Sequence, residues 1–327
     1  MRRFTKILKI LFITLFILIV SGYIYFNSHY PEIGQAPDIK IEPTKERIEK
    51  GKYIFNNVAG CVDCHSERDF SKLSGPVVPG TEGKGGMKFG EEFGLPGTFY
   101  AKNITPYALG TWTDGEILRA ITEGVSRDGK ALFPLMPYTV FGKMDKEDIY
   151  SVIAYIRTLP AIKNDVPASK PKFPMNFIMK TIPAKNDFTN KPDPSSTVEY
   201  GKYMLEAAGC TDCHTPSVKG TPVDGKYMAG GMEVKLPGGM IIRSVNITPD
   251  NETGIGSWTK EQFINTFKQR SAPESYNTHV KPGEFQTIMP WWMYGRMTEQ
   301  DLGAIYDYLR TITPVKNLVN RFEIKLY

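Results

Sequence analysis

The sequence predicts an all-α protein: one N-terminal membrane-spanning helix followed by two tandem copies of a small helical domain. Three observations predict it. The run Cys61-Val62-Asp63-Cys64-His65 returns as Cys210-Thr211-Asp212-Cys213-His214, and the two runs use all four cysteines of the 327-residue chain. A series of short matched segments follows each run in the same order. The first residues combine a basic flank with the one stretch long and apolar enough to span a bilayer.

That stretch comes first in the chain. After Met1-Arg2-Arg3-Phe4-Thr5-Lys6, the 17 positions from Ile10 to Phe26 carry no charge. As a helix they cover about 26 Å, near the lower limit for crossing a bilayer. The basic flank stays in the cytoplasm and sends the rest of the chain outward. A cleaved signal peptide is the competing reading, with Val20-Ser21-Gly22 as its small-residue cleavage site. The apolar run is longer than a usual h-region, which favours a retained anchor over residues 1–29. Residues 30–43 then form a polar stalk.

C-x-x-C-H is the attachment pattern of a covalent c-type haem. Two thiols form thioethers to the haem vinyl groups, and the histidine that follows is placed as an iron ligand. Cys61, Cys64, Cys210 and Cys213 thus attach two covalently bound haem c groups, with His65 and His214 as axial ligands. A four-thiolate zinc site would leave both trailing histidines unexplained. Two disulfides would do the same, and the two pairs lie far apart. A thioredoxin-like site needs a single C-x-x-C near a βαβ pattern, which is not visible. Haem attachment of this kind takes place outside the cytoplasmic membrane, so anchor and signal peptide both give a periplasmic location for the haem domains.

The matched segments mark a duplication. Gly51-Lys52-Tyr53 pairs with Gly201-Lys202-Tyr203, and Asn103-Ile104-Thr105-Pro106 with Asn246-Ile247-Thr248-Pro249. Gly110-Thr111-Trp112-Thr113 pairs with Gly256-Ser257-Trp258-Thr259, Met136-Pro137 with Met289-Pro290, and Arg157-Thr158 with Arg310-Thr311. Lys163-Asn164 returns as Lys316-Asn317. The domains therefore run over 44–165 and 196–317, with an ordered, extended connector at 166–195 and a C-terminal tail at 318–327.

Each domain should hold three helices. The first runs from Thr44, or Ser196, into the haem motif. The second opens on a capping box, Thr113-Asp114-Gly115-Glu116 or Thr259-Lys260-Glu261-Gln262. The third starts at Asp145 or Thr298 and ends near Leu159 or Ile312. Gly51 and Gly201 lie on the face that packs first helix on last. The glycine- and proline-rich stretch after each haem motif reads as loop over the haem edge.

The sixth iron ligand decides much of the chemistry. Histidine with methionine gives a closed iron that carries electrons, whereas an open site binds gases or peroxide. Met136 and Met289 each precede a proline and each lie nine residues before a third-helix cap, so they are the expected distal ligands. Met144 and Met297 also match, but they occupy the site of a hydrophobic staple on Ile149 and Leu302. Trp112, Trp258, Asn103 and Asn246 recur and can donate hydrogen bonds to haem propionates; wall packing and turn capping are the alternatives. Arg119 faces Asn265 in the repeat, so an arginine contact there would belong to one domain only. His29 and His279 read as surface residues.

Charge separates function classes. Residues 44–165 hold 16 basic and 16 acidic side chains, and residues 196–316 hold 12 and 13. The net +5 of the chain therefore sits in its flanks. Neither domain offers a basic face for nucleic acid.

The run Asn246-Ile247-Thr248-Pro249-Asp250, with Thr253-Gly254-Ile255-Gly256-Ser257-Trp258-Thr259, resembles the cytochrome c subunits of membrane-bound alcohol and sugar-acid dehydrogenases. Those subunits repeat C-x-x-C-H, N-I-T-P, G-x-W-T and a methionine-proline. The resemblance covers 44–317 and is looser in the first domain, where Tyr107-Ala108-Leu109 replaces the end of the motif. It implies cytochrome c-like domains that carry electrons from a dehydrogenase catalytic subunit toward quinone or a terminal oxidase; a quinol-oxidising complex is a further expected redox partner. The chain departs from that group in having two haem sites where three are usual, and an N-terminal anchor; simple dihaem cytochromes are the closer match. The sequence suggests no acid, base or nucleophile, so an electron-transfer protein is expected. A dihaem peroxidase is the alternative, and matched Met-Pro pairs in both halves argue against it.

Overall fold

The computed structural model describes residues 2–324 except Lys219, Pro237, Gly238 and Pro282. The leading helix runs unbroken over Arg2–His29, and none of its residues is buried. At 1.5 Å per residue it covers about 42 Å, more than the hydrocarbon core of a bilayer, about 30 Å. A signal sequence meets the same test of length and composition.

Both halves then build the expected three helices from the expected caps. In the first half these are Lys45–Tyr53, Asp114–Glu123 and Lys146–Ile156. In the second they are Thr197–Ala207, Lys260–Arg270 and Glu299–Leu309. Thr113 and Thr259 close complete capping boxes with Glu116 and Gln262. Each box satisfies two backbone N–H groups that the first turn leaves without partners. Asp145 and Thr298 cap the third helices through their side chains alone, which accept the Glu147 and Asp148 N–H groups and the Asp301 N–H respectively. The first helix of the first half passes into a π turn, Ile54–Val58, on its way to the haem motif.

First and last helices cross at glycine. A Cβ on Gly51 would lie 1.8 Å from the Ser151 carbonyl oxygen, and one on Gly201 would lie 1.9 Å from that of Ala304. No larger residue permits these crossings. Around them, Phe55, Ile153, Leu205 and Leu302 belong to one buried apolar cluster that runs through both halves.

The halves dock about a pseudo-twofold relation. The Tyr53 hydroxyl of the first half donates to Asp301 of the second and accepts the Thr298 N–H at 3.0 Å. Reciprocally, the Tyr203 hydroxyl donates to Asp148 at 2.6 Å and accepts the Asp145 N–H at 3.1 Å. Tyrosine on each first helix thus completes the cap of the other half's third helix. Asp301 also accepts from Tyr200 at 2.6 Å, whereas Asp148 pairs with Lys50.

The all-α expectation needs correction. Helices dominate, but among the described residues three small antiparallel sheets lie in the glycine- and proline-rich stretches. Lys88–Phe89 pairs with Gly97–Tyr100, whose other edge is covered by Lys170–Pro171 from the connector. Glu233–Leu236 pairs with Met240–Arg243, whose other edge is covered by Phe322–Ile324 from the tail. Ser217–Val218 and Thr221–Pro222 form a third, two-stranded pair. A short hairpin leaves one row of N–H and C=O groups unpaired, and connector and tail supply the partners. Residues 325–327 of the tail lie outside the described residues.

The connector is tied to its neighbours: the Asp187 N–H donates to Gly142 at 2.8 Å, and Phe177 packs 5.8 Å from Phe26 near the C-terminal end of the leading helix. The stalk is also fixed, because the Ile41 N–H donates to Asp114 at 2.8 Å.

Candidate haem sites

Each attachment motif opens on a glycine in the left-handed region, Gly60 or Gly209, both at φ 65°. The sharp entry lets one helical turn, Cys61–Cys64 or Cys210–His214, follow at once. Cysteines three apart on such a turn share one side. All four are free thiols, part-exposed rather than sealed in the core. Burial of the sulfurs still pushes the thiols of Cys61, Cys64 and Cys210 up to about 12 and Cys213 up to about 11. Among the described residues no three His, Cys, Asp or Glu side chains are grouped so as to hold a metal ion.

The histidines are oriented for iron. His65 Nδ1 lies 2.7 Å from the Lys102 carbonyl, and His214 Nδ1 lies 2.8 Å from the Val245 carbonyl. A carbonyl only accepts, so Nδ1 carries the proton and Nε2 keeps its lone pair for a metal. Burial lowers both imidazole pKa values, and the carbonyl contacts oppose it. This donor set, two thiols and a histidine with its tautomer fixed, fits a covalently attached haem in each half.

The recurrent asparagines explain where those carbonyls come from. Lys102 and Val245 each precede one of them. Asn103 Nδ2 donates to Ile162 at 2.8 Å and Asn164 at 3.3 Å, and its Oδ1 accepts the N–H and hydroxyl of Thr105. Asn246 Nδ2 donates to Val315 at 2.7 Å and Thr253 at 3.0 Å, and its Oδ1 accepts from Thr248. Both amides are buried and fully used within the protein. The propionate role expected of Asn103 and Asn246 is therefore corrected: they brace the loop whose carbonyl orients the histidine. Trp112 is half-buried against the core, while Trp258 is 36% exposed. Arg119 is buried and donates to Gly34 of the stalk at 3.2 Å and Ser126 at 2.7 Å. These bonds tie the stalk to the first half.

Met136 and Met289 occupy matched turns. Both are half-buried, and each is followed by a proline that opens a short helix, Tyr138–Phe141 or Trp291–Tyr294. The Tyr138 N–H donates to Met136 at 2.7 Å and the Trp291 N–H to Met289 at 2.8 Å. Met144 and Met297 are 4% and 1% exposed core residues, as the staple position requires. His29 and His279 are exposed.

The two attachment motifs converge. The field of Cys213 adds to the upward shift of Cys64, and that of Asp63 to the shift of Cys213. The Tyr294 hydroxyl, pushed up mainly by burial, feels Cys210, Asp63, Cys213 and Cys64 together. Sequence reading missed Tyr294; it also missed Ser74 and Gln286, which link the halves near Met289, and Arg68, which shapes the loop that carries Ser74. A Ser-Gly-Pro run at 74–76 is a turn signal and nothing more.

Comparison with known proteins agrees with this geometry. The cytochrome c family matches residues 198–313. The chain is 29% identical over 300 residues to the cytochrome c subunit of alcohol dehydrogenase (quinone) from Gluconacetobacter polyoxogenes, covering 86% of this chain and 58% of that one. It is 27% identical over 297 residues to the fructose dehydrogenase cytochrome subunit of Gluconobacter japonicus, covering 83% and 54%. A diheme cytochrome c-type protein of Cereibacter sphaeroides is 28% identical over 192 residues, covering 56% and 62%. The chain thus spans a little over half the length of the curated dehydrogenase subunits it matches. With its histidine-bearing C-x-x-C-H turn inside the matched region, the chain carries a cytochrome c domain and is homologous to the cytochrome c subunits of these dehydrogenases and to diheme cytochromes c.

Proposed function

We propose that the chain is a membrane-anchored dihaem electron carrier. Cys61 and Cys64 hold one haem c and Cys210 and Cys213 the other, in domains 44–165 and 196–317. His65 with Met136, and His214 with Met289, are the axial pairs. When bound, the haems supply reversible one-electron chemistry, and methionine ligation favours a high potential. The protein's share is to attach, orient and shield. The carbonyls of Lys102 and Val245 fix the histidine tautomers, and docking of the two halves gives an electron a route from one centre to the other. The observation that carries the proposal is the repeated histidine–carbonyl geometry beside each pair of thiols.

The helix Arg2–His29 is the anchor in the inner membrane, with both haem domains on its periplasmic side. Tyr23, Tyr25, Phe26 and Tyr30 near its outer end supply the aromatic belt usual at that interface. The electron donor is a dehydrogenase catalytic subunit or a quinol-oxidising complex, and a terminal oxidase is the acceptor. The relatives' names support the dehydrogenase. They give no support to the peroxidase alternative.

The test is a spectroscopic redox titration of the haem-loaded chain in detergent. Two low-spin centres, both with the methionine–iron signature when oxidised and both at positive potentials, are expected. Met136→Ala and Met289→Ala should each remove one signature and open one centre to carbon monoxide. A wild-type centre that is high-spin, or that lacks the signature, overturns the ligand assignment at that site.

A further inference from the structure

The two methionine turns look alike locally but are supported differently. In the first half, no hydrogen bond from the second half reaches the Met136 turn among the described residues; its own Tyr138 N–H closes it. The Met289 turn is instead grasped by a loop of the first half, residues 68–77.

That loop is fixed at its base to the first attachment motif. Arg68, its side chain only 4% exposed, pairs with Asp63 at 2.9 Å. The same guanidinium donates back to Gly75 at 2.7 Å and Ser74 at 2.6 Å, so it shapes the loop from inside. The outer strand of the loop pairs with a segment of the second half. Leu73 N–H donates to Thr278 and Val280 N–H to Ser71, both at 2.8 Å. Gln286, 5% exposed, donates to Phe70 at 3.1 Å and Lys72 at 2.9 Å and accepts the Ser74 N–H at 2.8 Å.

Ser74 sits at the tip, 1% exposed, with φ 66°. A residue with a Cβ adopts this left-handed conformation only at an energetic cost, and such residues gather where geometry serves function. The hydroxyl uses the position fully. It donates to the Met289 carbonyl and accepts the Trp291 N–H at 3.1 Å. One side chain of the first half thus holds the backbone on both sides of Met289-Pro290.

We infer that Ser74 is a positioning residue for Met289, a clamp by which the first half keeps the second half's methionine on its iron. The inference rests on the reading of Met289 as an axial ligand. Because Arg68 ties the clamp to the first attachment turn, the second site is complete only when the halves are docked. The Met136 turn has no such dependence.

The test uses the full haem-loaded chain in detergent. Ser74→Gly removes the hydroxyl and relieves the left-handed backbone, so the variant folds at least as readily at that residue; Ser74→Ala is the second variant. The readouts are the methionine–iron band of the oxidised protein and the rate of carbon monoxide binding to the reduced protein. Met136→Ala and Met289→Ala assign the two sites. Both Ser74 variants should lose the band assigned to Met289 while keeping the one assigned to Met136. One of the two centres should bind carbon monoxide at least tenfold faster than in wild type. If Ser74→Gly matches wild type in both readouts while Met289→Ala removes a band, the clamp is overturned and the ligand reading stands. If Met289→Ala leaves the wild-type bands unchanged, the ligand reading falls and the clamp falls with it. Equal weakening of both bands in the Ser74 variants also overturns the clamp, since it marks a general loosening.

Discussion

Asp301 offers a direct measure of how firmly the halves are joined. It is 4% exposed, and no ion pair reaches it among the described residues. Its carboxylate is satisfied by two tyrosine hydroxyls, Tyr53 from the first half and Tyr200 from its own. A hydrogen bond to a charged group contributes about 1.5–3 kcal/mol. Tyr200→Phe should therefore cost about 2 kcal/mol. Tyr53→Phe should cost somewhat more, because the same hydroxyl accepts the Thr298 N–H, which is then left without that partner. The double variant should lose more than the sum, about 5 kcal/mol or above, because a buried carboxylate is then left without a donor. Against a total stability of about 5–15 kcal/mol that is a large share. The assay is urea unfolding of the haem-loaded chain in detergent, followed by far-ultraviolet dichroism and Soret absorbance. Single losses below about 0.5 kcal/mol with a strictly additive double variant would refute the idea that tyrosine donors hold this charge in the interface.

Alkali tests the same interface. Burial first, then Asp301 or Asp148, raises the hydroxyl pKa of Tyr53, Tyr200 and Tyr203 above the ordinary 10.0. A raised folded-state value favours the protonated form, so its stabilisation is fully present below about pH 10 and lost as pH rises beyond it. The urea midpoint should hold steady to that pH and then fall, and Tyr203→Phe should make the fall shallower. Gly51→Ala and Gly201→Ala each drive a Cβ into a carbonyl of the crossing helix, at a cost of about 1–3 kcal/mol or more by thermal unfolding. Thr259→Ala removes a capping box on an exposed helix start and should cost about 1 kcal/mol while leaving the haem spectra unchanged.

What the sequence reveals here is what local chemistry decides. Thr113, Thr259, Asp145 and Thr298 announce helix starts because a cap needs only its own first turn. Gly51 and Gly201 announce a crossing because they recur at one place on one face. Asn103 and Asn246 recur as clearly, yet their role was hidden, because the carbonyls of Ile162 and Val315 that they hold lie 59 and 69 residues away. The strands escaped for the same reason. Pairs of two to four residues show little alternation, and third strands come from the connector and the tail.

Duplication also shows which parts of the fold are tied to the haem sites and which are free to differ. The scaffold behind each histidine agrees in its main bonds. Gly85 N–H donates to His65 at 2.7 Å, and Gly230 N–H to His214 at 2.8 Å. Asn164 donates to Lys84 at 3.0 Å, and Asn317 to Ala229 at 2.8 Å. Even Met228, at φ 57°, takes the place that Gly83 fills at φ 79°. A backbone conformation unfavourable for methionine is retained because the loop carrying the histidine's carbonyl depends on it. Away from that scaffold the halves diverge at residues 68–77 and 271–287, and those two segments meet each other. The loop that orients each histidine is thus specified twice by the same local rules, whereas the Met289 turn is held by a loop of the first half. On the proposed ligation, two centres built on one plan acquire different surroundings from that one loop, and it is there that a difference in their ligand stability should originate.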